Sequence, residues 1–248
     1  MEVLPTLESF HGWLPENPGA IAHIKGFGGG IPDNRWKKEA LQRLQSFNIF
    51  TLVWDGDSPK ESSFTALVTE FLRANPSGKA VAFKKNTGVE KFCTMWAKEA
   101  DEFPGRILVV AIDVEKDAQT LGISEEVSRV QELPMWAQEF FLLGRVAIKA
   151  TGSKMVICVG GGGITGQEAD ASFEDGAGIQ WTVFAVSRGK KEQYPSMLDW
   201  AATASSPHVE FVHGLDEQEA DGYSGDMTPG SGTEVVTVVK ECTEEPKL

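Results

Sequence analysis

The chain has 248 residues, a length that fits one large α/β domain or two small ones and can bury a full core without disulfide or metal staples. Charged residues make up 24% and hydrophobic ones 41%, ordinary globular usage that argues against a disordered, collagenous or membrane-embedded chain. Lys and Arg total 23 against 36 Asp and Glu, a net charge of −13, and a surface that acidic repels phosphate backbones and anionic lipid, so neither nucleic acid nor membrane is expected as a partner.

Residues 1–19 read as an N-terminal extension. They open on Met1-Glu2-Val3-Leu4-Pro5, with no basic region followed by an apolar one, and no 18 apolar residues run together anywhere, so a cytoplasmic location is expected. From residue 20 to residue 213 short apolar runs alternate with amphipathic stretches, the pattern of βα units. The first strand, residues 20–24, leads into Gly26-Phe27-Gly28-Gly29-Gly30. Residues 35–47 place Trp36, Ala40, Leu41, Leu44 and Phe47 at helical spacing with polar residues between them, which predicts a surface helix on a sheet. A strand over 49–54, a helix over 62–74 and a short strand over 79–83 follow. A helix is predicted over 89–102, stopped by Pro104-Gly105. Residues 107–112 carry no charge and fit a central strand covered on both faces. Residues 124–149 are helical in composition but contain Pro134, which predicts two helices or one kinked helix. Strand 155–159 runs straight into Gly160, Gly161, Gly162 and Gly163. A helix over 167–174, a strand over 181–186, a helix near 195–203 and a strand over 209–212 complete the series.

These runs predict a single Rossmann-like, doubly wound α/β domain over residues 20–213, with a mainly parallel sheet of about seven strands and helices on both faces. The uncharged strands 108–112 and 156–159 are expected at its centre. A (β/α)8 barrel also alternates in this way and is the competing architecture. Residues 214–248 form an acidic C-terminal segment. Residues 209–248 hold ten acidic side chains against Lys240 and Lys247, and the apolar run Val235-Val236-Thr237-Val238-Val239 predicts one added outer strand.

In a parallel sheet, ligands bind outside the carboxyl ends of the strands. That rim carries Lys25 with the first glycine cluster, Asp55-Gly56-Asp57, Lys84-Lys85-Asn86, Asp113, Gly160 to Gly163, Ser187-Arg188 and His213. The four-glycine run is the most informative signal. A strand, a glycine turn and a helix amino end expose backbone N–H groups that a phosphate or carboxylate can approach. Gly161, Gly163 and Gly166 satisfy the G-x-G-x-x-G spacing, although late in the chain, and Thr165 follows in register. Ser187 and Arg188 stand where an acidic ribose partner would otherwise lie, and Arg188 favours a phosphate. The alternative is a purely structural glycine turn.

Gly161 to Gly166, with Pro229-Gly230-Ser231-Gly232-Thr233-Glu234, resembles the two signatures of the phosphoribohydrolases formerly called lysine decarboxylases, G-G-G-x-x-G and P-G-G-x-G-T-x-x-E. Ser231 stands in place of a glycine, the glutamate comes early, and the resemblance covers only these two turns. Asp55 and Asp57 after an apolar strand form a D-x-D that can hold Mg²⁺ with a substrate phosphate. This resembles the nucleophile turn of haloacid-dehalogenase-type phosphatases, which would give Ser187 a phosphate-binding role, Lys190 or Lys191 a charge-balancing one, and Asp216 and Asp221 the distal acids. A strand and helix precede the D-x-D and Ser58-Pro59 follows it, both departures from that pattern, and a plain turn before a helix cap accounts for the same residues.

Cys93, Cys158 and Cys242 show no metal or redox spacing and read as reduced thiols. No spacing among His11, His23, His208 and His213 suggests a metal site. No G-x-S-x-G elbow and no Walker lysine follows a glycine turn, which disfavours those hydrolase and NTPase classes. Most of the seven Trp residues fall on expected core faces. Residues 133–143, with Leu133, Met135, Trp136, Phe140 and Phe141, are richer in large apolar groups than one buried helix face requires and predict a homodimer patch.

The sequence thus leaves three functional readings. The first is an enzyme acting on a nucleotide or phosphorylated metabolite, with Asp55, Asp57 and Asp113 as catalytic candidates, Gly160 to Gly163, Thr165, Ser187 and Arg188 as ligand-binding candidates, and a small anionic ligand. The second is a non-catalytic ligand-binding or assembly protein. The third is a Mg²⁺-dependent, phosphatase-like hydrolase with Asp55 and Asp57 on the metal.

Overall fold

Strand periodicity and helix periodicity alternate along this chain, and the computed structural model, which describes residues 1–15, 21–26, 35–53, 63–159, 163–175, 178–185 and 209–213, turns that alternation into one sheet with two helical layers. The first half contributes β1 (Glu2–Leu4), α1 (Leu7–Trp13), β2 (Ile21–Gly26), α2 (Arg35–Leu44), β3 (Ile49–Val53), α3 (Ser63–Ala74), β4 (Lys79–Lys85), α4 (Val89–Met95) and α5 (Ala97–Glu102). Then come β5 (Ile107–Ile112), α6 (Val114–Thr120), α7 (Met135–Thr151), β6 (Met155–Val159), α8 (Gly163–Glu174), β7 (Gln180–Ala185) and β8 (Val209–His213). Short 3-10 helices cover Asn86–Gly88 and Ser124–Val130.

The sheet has eight strands in the order β1-β5-β4-β3-β2-β6-β7-β8, and every neighbouring pair is parallel. This is a doubly wound sheet. A (β/α)8 barrel would place consecutive strands side by side all the way round, whereas here β6 returns to the far side of β2. From β2 the chain steps outward through β3, β4 and β5, then reverses at β6 and steps the other way. Right-handed crossovers put the helices of the two runs on opposite faces.

The side chains sort accordingly. On one face Phe50, Leu52, Ala80, Ala82 and Ile157 meet α2, α3 and α4 through Leu44, Phe71 and Phe92. On the other face Val53, Val81, Phe83, Val110 and Ile112 meet α1, α6 and α7 through Phe10, Ala118 and Phe141. Alternate residues of each strand therefore serve opposite layers, as a pleated sheet covered on both sides requires. A third cluster seats α8 by Ala169 on Val156, Cys158 and Trp181.

The N-terminal extension is part of the sheet: β1 pairs with β5, Val3 in register with Val109, and α1 closes over the second face through Leu7 and Phe10. As a result β5, expected at the centre, lies one strand from the edge. It is nevertheless buried along its whole length, because β1 covers its open side and helices cover both faces. Strand β6 is interior, as its lack of charge predicts.

Several helix boundaries differ from the sequence pattern. The helix predicted over 89–102 breaks at Trp96, a residue 1% exposed whose ring stacks on Phe92 and whose backbone leaves the helical region at φ −98°, ψ 12°. Pro134 is neither a kink nor an interior residue but the N-cap of α7, a position where its missing N–H costs nothing. Helix α6, not foreseen, follows directly from β5. Helix α8 begins at Gly163, four residues before its predicted start. Glycine costs a helix about 1 kcal/mol per residue, which argued for a later start, but Thr165 and Gly166 are buried there, and tertiary packing outweighs that propensity.

The apolar segment at the head of α7 is smaller than the sequence suggests. Phe141 is 0% exposed and belongs to the core, and Phe140 packs against the same cluster. Both are therefore withdrawn from the predicted dimer patch, which retains only Leu133, Met135 and Trp136. The helix near 195–203 and the added strand over 235–239 lie outside the described residues.

Candidate functional site

The winding of the sheet reverses between β2 and β6, and that is where an open α/β sheet leaves a crevice at its carboxyl rim. The two strands pair directly, His23 with Val156, Lys25 with Cys158 and Gly26 with Val159. The sequence continues from Gly26 into the first glycine cluster and from Val159 into Gly160, Gly161, Gly162 and Gly163. Both glycine runs therefore begin on adjacent strand ends at the reversal point. Residues 27–30 and 160–162 lie outside the described residues.

Gly163 opens α8, whose first turn carries no acidic side chain. The first four N–H groups of a helix have no intrahelical acceptor, and with no carboxylate among them this end keeps its partial positive charge. Thr165, a predicted ligand-binding residue, sits in that turn with its side chain 5% exposed.

Strand β3 flanks β2 on the other side, Leu52 in register with Ile24. The end of β3 at Val53 is therefore separated from the end of β6 by one strand, about 10 Å at ordinary strand spacing. Asp55 and Asp57 themselves lie outside the described residues, as do Ser187 and Arg188, which follow the end of β7 at Ala185. Strand β7 neighbours β6, so the chain leaves all four strands β3, β2, β6 and β7 at one rim.

Asp113, the third catalytic candidate, is not brought to this crevice. It follows β5, three strands from β2 or about 14 Å along the rim. Its carboxylate caps α6, Oδ1 accepting the Lys116 N–H at 3.3 Å, while its own N–H donates to Asp117 Oδ2 at 3.0 Å. This reciprocal pair satisfies the helix end in the manner of a capping box. Burial pushes the Asp117 carboxyl above its ordinary range, and the neighbouring Asp113 charge adds to the rise, against the opposing backbone hydrogen bond.

Beneath the rim the second face holds polar groups that the sequence did not single out. His23 is fully buried in β2, its Nδ1 2.8 Å from Thr51 Oγ1 on β3. Glu168 and Ser172 are fully buried on α8, and with Thr165 they occupy positions three and four residues apart, hence one stripe of the helix. Ser172 Oγ meets Arg145 of α7 at 2.8 Å. The sequence signal for that stripe is a helix short of large apolar residues, Gly-Ile-Thr-Gly-Gln-Glu-Ala-Asp-Ala-Ser, whose buried side cannot be purely hydrophobic.

Helix α7 runs antiparallel to the strands. Near its start Glu139 pairs with Lys85 at the carboxyl end of β4, Nζ to Oε1 2.7 Å, and beyond its end the Lys154 N–H donates to the Ile21 carbonyl at the amino end of β2. Its first residues, Met135 and Trp136, therefore stand at the same rim as the strand ends and are 76% and 64% exposed. Among the described residues no group of three or more His, Cys, Asp or Glu side chains could hold a metal ion, and no helix is long and apolar enough to cross a membrane. No family model, no curated protein and no solved structure matches the chain.

Proposed function

We propose that this protein binds a small anion, a nucleotide or phosphorylated metabolite, at the carboxyl ends of β2 and β6. One observation carries the reading. Two glycine runs start from directly paired strands at the point where the winding reverses, and the second opens a twelve-residue helix with no acid in its first turn. Backbone N–H groups at such a turn donate to phosphate oxygens without side-chain collision. In a chain of net charge −13 an anion needs this kind of local dipole rather than a general field.

On this reading Gly160 to Gly163 supply the amides, and Ser187 and Arg188 complete the anion's coordination from the neighbouring strand end. Asp55 and Asp57, on the other side of β2, are the residues to hold Mg²⁺ and the catalytic carboxylates if the bound ligand is turned over. Cys93 and Cys158, neither of them in a disulfide, fit a reducing, cytoplasmic setting. A homodimer through α7 has little area left to use: three exposed residues fall well short of the roughly 800 Å² per partner of a standard interface.

The test is a thermal-shift panel of nucleotides, sugar phosphates and inorganic phosphate, each with and without Mg²⁺. A ligand at about 100 times its Kd adds about 2.7 kcal/mol, a clear rise in Tm. A panel in which no phosphate-bearing member raises Tm contradicts the reading.

A further inference from the structure

Helix α8 is held to the sheet differently from α3 and α7. Helix α3 buries Leu67, Val68, Phe71 and Leu72, and α7 buries Phe141, Leu142, Leu143, Val146 and Ile148. The residues that α8 buries are Thr165, Gly166, Glu168, Ala169, Ala171 and Ser172, with Ile164 and Phe173 only partly covered. No large apolar side chain of α8 is fully buried, so the hydrocarbon burial that normally docks a helix is thin along its whole length. Its intrinsic helix propensity is low as well. Gly163 and Gly166 stand in its first turn, and the Ser172 hydroxyl donates to the Glu168 carbonyl at 2.7 Å, a back-bond that slightly weakens a helix.

Charge supplies the hold that hydrocarbon does not, and it does so at one end. Asp175, just past the last residue of α8, meets Arg145 at 2.6 Å and Lys149 at 2.8 Å. Glu174 pairs with Arg129, and the Ser172 hydroxyl accepts from Arg145 at 2.8 Å. All of these contacts lie in or just beyond the last turn. Under the helix Ala169 covers Val156 and Cys158 of β6, both 0% exposed.

From this contrast we propose that α8 is a flap over β6: it undocks as a separate unit while the rest of the sheet stays folded, and the ion pairs around Asp175 set how often it does so. Elements with few buried apolar contacts open at a lower free energy than the molecule as a whole. Opening of α8 brings the Cys158 thiol to solvent, so access to that thiol follows the docking of one helix rather than global unfolding.

The experiment is hydrogen exchange read by mass spectrometry on the full chain, with iodoacetamide labelling of Cys158 followed in parallel, for wild type, D175N and V68A. In wild type the amides of residues 167–174 should exchange at least about tenfold faster than those of β5, after correction for intrinsic rates. D175N removes the carboxylate that Arg145 and Lys149 share, and it should speed both α8 exchange and Cys158 labelling about tenfold, the usual worth of a hydrogen bond to a charged group. V68A opens a cavity under α3, in the cluster on the opposite face of the sheet. It should speed exchange in β5, whose amides open only with the whole molecule, and leave α8 and Cys158 at their wild-type rates. If α8 and β5 exchange alike in wild type, or accelerate together in V68A, α8 opens only by global unfolding and the flap is overturned. Unchanged α8 exchange in D175N would overturn the role of the ion pairs. Should D175N fail to fold, the wild-type and V68A rates decide between the flap and global opening.

Discussion

The guanidinium of Arg145, in the middle of α7, is 0% exposed and donates from Nη2 to Asp175 Oδ2 at 2.6 Å, just past the end of α8. Its other donors reach Glu126 Oε2 at 2.6 Å and Oε1 at 3.2 Å, and Ser172 Oγ at 2.8 Å. One buried cation therefore ties the 3-10 segment, α7 and α8 together, with Lys149 adding a second contact to Asp175 at 2.8 Å. Such a charge is tolerable only with its partners in place.

Replacing Arg145 by methionine keeps most of the volume and strands two partly buried carboxylates. The expected cost is about 3–5 kcal/mol, read as a lower urea midpoint with an unchanged m value. A loss below about 1 kcal/mol would mean that burying the guanidinium already cancels what its ion pairs return.

The same network fixes the sign of an acid effect. Burial pushes the Asp175 carboxyl upward, but hydrogen bonds and charges from Lys149 and Arg145 prevail and hold it below its ordinary value. A depressed carboxyl contributes stability that is present above its unfolded value, about 3.9, and lost as pH falls through the lower folded value. Asp117 runs the other way: its raised carboxyl makes ionisation unfavourable in the folded state, so stability declines as pH rises from the unfolded value through the folded one. D175N should flatten the acid limb of the stability profile, and D117N should improve stability near neutral pH relative to acid while its amide oxygen still accepts the Asp113 N–H. Denaturation midpoints across pH 3–7, about the range in which carboxyls titrate, check both signs.

Thr51 Oγ1 meets buried His23 Nδ1 at 2.8 Å, and valine at 51 would keep the shape and remove the hydroxyl. T51V should cost about 1–3 kcal/mol, the usual loss when a buried polar atom is deprived of its partner. A T51V protein as stable as wild type would show that the imidazole turns to another partner without loss.

The alternation of uncharged runs such as 107–112 and 155–159 with amphipathic segments made the doubly wound sheet legible, because strands buried on both faces cannot carry charge. Strand order was not legible. The return of β6 to the side of β2 depends on the long crossover through α6 and α7, and periodicity does not record which strand a crossover reaches. For the same reason the sequence put Asp113 on the rim correctly but did not separate it from the reversal point. That the two glycine runs start from adjacent strand ends emerges only from the pairing of Gly26 with Val159. Phe141 and Trp136 looked alike in a string of large apolar residues, and only the height of each along α7 relative to the sheet divides core from rim.

The central claim is that the second glycine run binds an anion through its backbone, and titration calorimetry with a phosphate ligand on wild type, G162V and R188A addresses it most directly. Valine at 162 puts a branched side chain where the backbone must approach the ligand, and alanine at 188 removes the compensating guanidinium. The account predicts measurable binding to wild type, none to G162V with circular dichroism unchanged, and at least tenfold weaker binding to R188A, which corresponds to about 1.4 kcal/mol. Equal anion affinity in all three proteins would contradict it and leave the glycines as a structural turn.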